Sequence, residues 1–202
     1  MTAFADVVRA RRMTRSFLAD PVPAALLDEM VGLAARSPSA GKTQGWHLVV
    51  LEGAGTAQFW DRTLPPASRD GFPWPGLVDA PVIALPFADP AAYLERYSHA
   101  DKADAGLGAS TAAWPAPYWT IDTSFALMTL LLAAQDAGLG SLFFGVFNGE
   151  SDLCADLGVP EHLQLLGAIA LGYPDVDRER PVNLANRPHR RRPAEIIHRG
   201  HW

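Results

Sequence analysis

Three arginines within five residues, Arg11, Arg12 and Arg15, are the first side chains in this sequence that could do chemistry. Each guanidinium offers a planar fork of N–H donors, a geometry that suits phosphate. A solvated basic surface fits the same residues. A second basic group, Arg190-Arg191-Arg192-Pro193, lies near the C-terminus, where such a run is commonly a solvated tail or a weak nucleic-acid patch. Between them lie two glycine-bearing segments. Pro38 through Trp46 is a polar loop whose backbone amides can face a ligand, although an ordinary helix–strand connector reads the same way. Gly138 through Val146 places glycines before and inside an apolar strand. There a flat ring can approach the backbone closely, and a tight turn followed by an aromatic core strand is the plainer account.

Other chemistries find little support. No convincing Ser/His/Asp set is present. The single cysteine, Cys154, excludes a Cys-based zinc or iron–sulfur site and an intramolecular disulfide. His198 and His201 have i, i+3 spacing at the chain end without further ligands, so no metal is expected. A net charge of −5 gives no general attraction to nucleic acid.

The elements that must position these residues follow from periodicity. Phe4, Val7 and Val8 predict a helix over about residues 2–11, and Pro21 and Pro23 then force an extended link. Pro23 opens a second helix whose apolar face is Leu26, Leu27, Met30, Leu33 and Ala34. Strands are expected at 46–51, 80–85, 141–147 and 165–171, with a short helix at 152–157. Residues 53–76 carry only a weak pattern. Residues 88–119 read as an irregular, mobile cover for a pocket, with Tyr93, Tyr97, Trp114, Tyr118 and Trp119 as pocket aromatics or as plain packing. Asp122 to Ala137 is the clearest helix, apolar nearly all round and therefore central. Mixed helices and strands without βαβ alternation argue for an α+β fold, and no GxGxxG follows the first strand.

With 202 residues, 49% apolar and 19% charged, the chain is expected to be one globular domain. The start Met1-Thr2-Ala3-Phe4 does not read as a signal peptide, and the longest apolar stretch, Phe125 to Ala134, is too short for a bilayer. A cytoplasmic protein without membrane or nucleic-acid partners is expected.

Taken in order, the segments resemble the nitroreductase family of flavoproteins. Arg11-Arg12-Met13-Thr14-Arg15-Ser16-Phe17 is similar to the family's Arg-Arg-Ser-x-Arg-x-Phe. Pro38 through Trp46 matches its Pro-Ser-x-x-Asn-x-Gln-Pro-Trp loop, and Asp122 to Gly140 matches its long helix followed by Gly-Leu-Gly. Leu171-Gly172-Tyr173-Pro174 and Arg191-Arg192-Pro193 complete the set. Three positions depart: Met13 stands for serine, Lys42 for asparagine and Gly45 for proline, the last predicting a looser loop before Trp46.

The resemblance implies a single FMN-binding domain over residues 1–202, with a variable lid-like region at about 88–119. The implied fold has a central, mainly antiparallel sheet flanked by helices, in an intertwined homodimer with both chains building each flavin site. It also implies that Arg11 and Arg191 hold the FMN phosphate, that Arg12 and Met13 line that site, and that Arg15 reaches the pyrimidine edge. Pro38, Ser39 and Ala40 would come from the partner subunit and pack along the flavin. Gln44 would follow the family's glutamine in the same loop, and Lys42 would add a charge close to the flavin. Phe144, Gly145 and Val146 would lie beside the ring. The backbone N–H groups of Gly145 and Val146 would face flavin N5. The implied reaction is ping-pong hydride transfer from NADH or NADPH through the flavin to a nitroaromatic, quinone or similar acceptor. A specialised flavoenzyme (a substrate oxidase, a dehalogenase or a flavin-degrading enzyme) and a flavin-binding carrier or sensor are the alternatives.

Overall fold

The computed structural model describes residues 3–179 and 189–202. Its centre is β2 (Val82–Ala88), buried along its whole length. β1 (Trp46–Glu52) pairs antiparallel with it from Trp46↔Ala88 to Glu52↔Val82. β5 (Ala168–Gly172) takes its other side, with Val82 opposite Leu171, and β3 (Gly140–Phe144) closes the sheet against β5. A two-residue strand, β4 (Gln164–Leu165), also pairs with β2. All these pairs are antiparallel, giving the order β1-β2-β5-β3.

Successive strand residues point to opposite faces, so a strand covered on both sides is apolar without alternation. In β2, Val82 and Ala84 enter one core while Ile83, Leu85 and Phe87 enter the other. In β5, Ile169 and Leu171 join the first, and Ala168 and Ala170 the second. The first core is roofed by α2 (Ala24–Ala34) and α5 (Tyr118–Asp136) through Leu27, Met30, Ala126, Leu127, Leu130 and Ala134. The second is closed by α3 (Ala54–Thr63) and α6 (Glu150–Asp156), which contribute Phe59, Trp60 and Leu153. Helices on both faces of an antiparallel sheet make the chain α+β, as expected.

The strand expected at 165–171 is instead two pieces. Gly167 lies between them at φ 142°, where an added Cβ would sit 2.6 Å from the Phe144 carbonyl oxygen. The chain turns there at a position that only glycine fills without strain. β3 stops at Phe144 rather than 147, and Phe147 is 90% exposed.

The helices also differ in detail. α1 is Phe4–Ala10 and buries only Val7, leaving Phe4 and Val8 in water. Pro23 is the residue before α2, not its first turn, and Leu33 is exposed. α5 begins at Tyr118, four residues early, and is not buried all round. One face packs on the sheet, while Phe125 and Met128 are 48% and 42% exposed. The weak stretch after β1 holds α3, whose buried side chains are the adjacent pair Phe59 and Trp60.

The segment expected to be an irregular cover contains α4 (Pro90–Ser98) and two short 3-10 turns. Asp89 caps α4, its side chain accepting from the Ala92 N–H at 3.0 Å, with Pro90 in the first turn. Both are favoured there, by a side-chain acceptor for a free N–H and by a preset φ. Tyr93, Trp114 and Trp119 are buried in a satellite core, with Tyr97 and Tyr118 packed partly against it. Edge-to-face contacts at 4.7–6.4 Å between ring centroids link Trp114 to Tyr97, Tyr93 and Trp119, and Tyr93 to Trp119. This segment is folded onto the body by its own aromatics. No helix among the described residues is long and apolar enough to cross a membrane.

Candidate active site

The chain leaving α1 runs along the outer edge of β3. Met13 bridges Ser141 in parallel, and the Thr14 N–H donates to the Ser141 carbonyl at 2.9 Å. Gly140 makes this approach possible, since a Cβ there would lie 2.6 Å from Thr14 Oγ1. The first arginine segment and the glycine-flanked strand, far apart in sequence, are therefore neighbours.

Within that segment Arg11 is half-buried, and its Nη1 has no hydrogen-bond partner among the described residues. Arg12 is exposed. Arg15 is constrained from two sides: its Nη1 donates to the Met13 carbonyl at 3.0 Å, and its guanidinium lies 5.4 Å from the centre of the Trp74 ring. The backbone N–H groups of Arg15 and Ser16 both donate to one Glu179 carboxylate oxygen, at 2.9 and 2.8 Å. Two charge-assisted bonds from adjacent amides fasten the segment to the chain that leads towards the C-terminal tail. Beside them Arg15, Ser16, Trp74, Pro75, Gly76 and Arg178 line a cavity of about 260 Å³.

At the end of β3, Phe144 turns its ring towards the second core, stacked on Trp60 at 5.9 Å and 2°. Gly145 is exposed and Val146 half-buried. An added Cβ at Gly145 would meet the Phe147 ring at 2.7 Å.

The loop of Pro38 to Gln44 is fixed from a different direction. Gly41, Lys42 and Gln44 all have positive φ, at 61°, 55° and 52°. For lysine and glutamine this conformation needs outside support. Gln44 supplies some, its Nε2 donating to the Ala35 carbonyl at 2.8 Å and its N–H to Ser39 Oγ at 2.9 Å. More comes from Asp122, a 7%-exposed carboxylate on α5. Its Oδ2 accepts from the Ala40 N–H at 2.8 Å and from the Tyr93 hydroxyl at 2.7 Å. Burial, and then that hydrogen bond, push the Tyr93 phenol well above its usual value, so it stays a donor. Among the described residues no hydrogen bond joins this loop to residues 11–15 of the same chain.

Arg191 is exposed on the tail, and its guanidinium donates to the Glu195 carbonyl. No ion pair or hydrogen bond among the described residues links it to Arg11 or Arg15. The adjoining residues 180–188 lie outside the described ones. Of the pocket aromatics, Tyr93, Trp114 and Trp119 are buried and only Tyr97 and Tyr118 are half-exposed. Sequence reasoning passed over Trp74, Glu179 and Arg178, which surround Arg15, and over Arg96 on α4. It met Asp122 only as the start of a helix. An aspartate at the head of an apolar helix run was the one available signal, since such a buried charge needs partners. No group of three or more potential metal ligands occurs among the described residues.

The comparisons with known proteins fit this geometry. The model of the Nitroreductase family matches residues 8–173. An NADH dehydrogenase of Thermus thermophilus is 33% identical over 178 residues, covering 81% of this chain and 83% of that protein. A 4-nitrobenzoate reductase of Nocardioides is 26% identical, covering 92% of this chain and 86% of its own. Among solved structures, a nitroreductase family protein of Streptococcus pneumoniae superposes with a TM-score of 0.71 at 21% identity, covering 96% of this chain and 98% of that one. With the fold, the paired edge segment and a family match over most of its length, the chain belongs to the nitroreductase family.

Proposed function

We propose that this chain is an FMN-dependent oxidoreductase that takes electrons from NADH or NADPH and passes them to a nitroaromatic, quinone or similar acceptor, acting as a homodimer. The observation that carries this reading is the edge pairing of Met13 and Thr14 with Ser141, with Arg11 beside it. Among the described residues the buried Nη1 of Arg11 has no hydrogen-bond partner, and a phosphate is an acceptor that suits such a cationic donor. The donor set therefore fits FMN. The relatives' names, an NADH dehydrogenase and a 4-nitrobenzoate reductase, agree with the donor and with one acceptor class.

In this reading Arg11 and Arg191 hold the phosphate, with Arg12 and Met13 lining its site. When bound, FMN supplies the ring that accepts and returns a hydride. Arg15, held by the Met13 carbonyl and the Trp74 face, sets a fixed cation at the pyrimidine edge, where negative charge builds on reduction. The Gly145 and Val146 N–H groups serve N5, and Phe144 contributes backbone because its ring is engaged with Trp60. Pro38, Ser39, Ala40, Lys42 and Gln44 reach the cofactor of the second subunit. The half-exposed Tyr97 and Tyr118 border the acceptor side. Donor and acceptor then use one face in turn, a ping-pong order.

The homodimer has a surface to use. Phe125 and Met128 on α5, Phe4 and Val8 on α1, and Leu33 on α2 are all exposed apolar side chains, and α1 and α2 both pack against α5. Apolar side chains gathered on neighbouring helices mark an interaction face.

An anaerobic titration tests the reaction. NADH or NADPH is expected to bleach the flavin absorbance of the purified protein, and 4-nitrobenzoate or a quinone to restore it. Flavin that neither nicotinamide reduces overturns the proposal.

A further inference from the structure

We infer that α4 is the device that holds the loop of Pro38 to Gln44 in its cofactor-facing shape, with Tyr93 and Arg96 as positioning residues; this rests on the flavin reading above. The family's loop pattern is Pro-Ser-x-x-Asn-x-Gln-Pro-Trp. This chain has Gly45 where that pattern has proline, and so lacks the ring that would stiffen the loop before Trp46.

The structure gives a reason for glycine at 45. The Tyr93 ring lies where a side chain would stand: a Cβ on Gly45 would sit 2.8 Å from Tyr93 Cε2, 3.1 Å from Ala92 Cβ and 3.1 Å from the Asp89 carbonyl oxygen. Close approach replaces the missing ring, and two direct hydrogen bonds and one shared carboxylate fasten the two segments. The Asp89 N–H donates to the Gly45 carbonyl at 3.0 Å. Arg96 Nε donates to the Gly41 carbonyl at 2.9 Å. The Tyr93 hydroxyl and the Ala40 N–H share Asp122 Oδ2, so one carboxylate of α5 ties helix and loop together.

Arg96 is itself oriented. Its two terminal nitrogens make a bidentate pair with Asp101 at 2.8 and 2.7 Å, which aims Nε at the loop. The Tyr97 ring comes within 3.0 Å of where a Cβ on Gly41 would be. α4 thus touches the loop at Gly41 and Gly45, the residues on either side of the strained Lys42 and Gln44, and is linked to Ala40 through Asp122 of α5. A backbone held in the left-handed region by contacts from outside relaxes when they are removed.

The test uses the full-length protein and measures FMN binding and thermal unfolding of the cofactor-free form. Arg96→Met keeps the aliphatic stem and removes the donor to Gly41. Its FMN dissociation constant is expected to rise about tenfold, the weight of one charge-assisted hydrogen bond, with the unfolding temperature of the cofactor-free protein little changed. Amide exchange at residues 40–44 is expected to quicken in the same variant. Arg96→Lys restores a donor without the fork and is expected to recover part of the affinity. A merely structural role would lower the unfolding temperature and give no selective recovery with lysine. Equal FMN affinity in wild type and Arg96→Met, with unchanged exchange at 40–44, overturns the assignment to α4 alone. A wild-type protein that binds no FMN overturns the flavin reading, and this inference with it.

Discussion

Replacing Arg11 with alanine is expected to raise the FMN dissociation constant about 10- to 150-fold. The range is that of a charge-assisted hydrogen bond, about 1.5–3 kcal/mol, converted at about 1.4 kcal/mol per tenfold. The sign for the cofactor-free protein differs. Nη1 of Arg11 is buried without a partner among the described residues, so losing it removes a desolvated donor and leaves the fold no weaker through that atom. Arg11→Ala thus separates binding from stability, which a core substitution cannot do. Fluorescence titration of FMN into the cofactor-free variant measures the effect, with urea unfolding as the control. Unchanged affinity would show that the phosphate lies elsewhere. Arg11→Lys is expected to fall between, because an ammonium gives a point charge without the planar fork.

The second large effect concerns assembly. Phe125→Glu puts a carboxylate among the exposed apolar side chains of α5, α1 and α2. In the single chain Phe125 is 48% exposed, so the charge faces water and the monomer fold is expected to survive. In a dimer that buries this face, the carboxylate is desolvated without a cation, a cost of several kcal/mol. Light scattering is expected to find the wild type as a dimer and the variant as a monomer. Because the loop of Pro38 to Gln44 is proposed to serve the other subunit's cofactor, the monomer is also expected to lose FMN. A variant that remains dimeric would move the interface to another face.

Much of this architecture was legible because it depends on local pattern. β1 is an apolar run bounded by breakers, and the α5 sequence is long and apolar enough to announce a central helix. The strand expected at 80–85, β2, runs instead from Val82 through Pro86 to Ala88. What was lost has physical reasons. α3 hides because its mean hydropathy is low and its anchors, Phe59 and Trp60, are adjacent rather than spaced at three or four. α4 was readable in principle, since Asp89-Pro90 is a helix-start signal, but the aromatics around it drew attention to a pocket instead. The break at Gly167 depends on a φ that only coordinates reveal.

The site divides along the same line. The arginine segment and the glycine-flanked strand could be picked out by residue type, because donors and missing side chains are visible as letters. Their pairing through Ser141 could not, being a contact across more than a hundred residues of chain. Nor could the supports: Glu179 on the amides of Arg15 and Ser16, Trp74 over Arg15, and Asp122 shared by Tyr93 and Ala40. These residues hold the others in place, and residue type alone does not announce that role. The looseness expected from Gly45 is answered by the packing of Tyr93, which only the fold brings near.

The most direct test of the whole account is the cofactor itself. The purified full-length protein is predicted to be yellow, with flavin absorbance bands, and to release FMN in stoichiometric amount on denaturation. A colourless protein that neither releases FMN nor binds it on reconstitution would contradict the account.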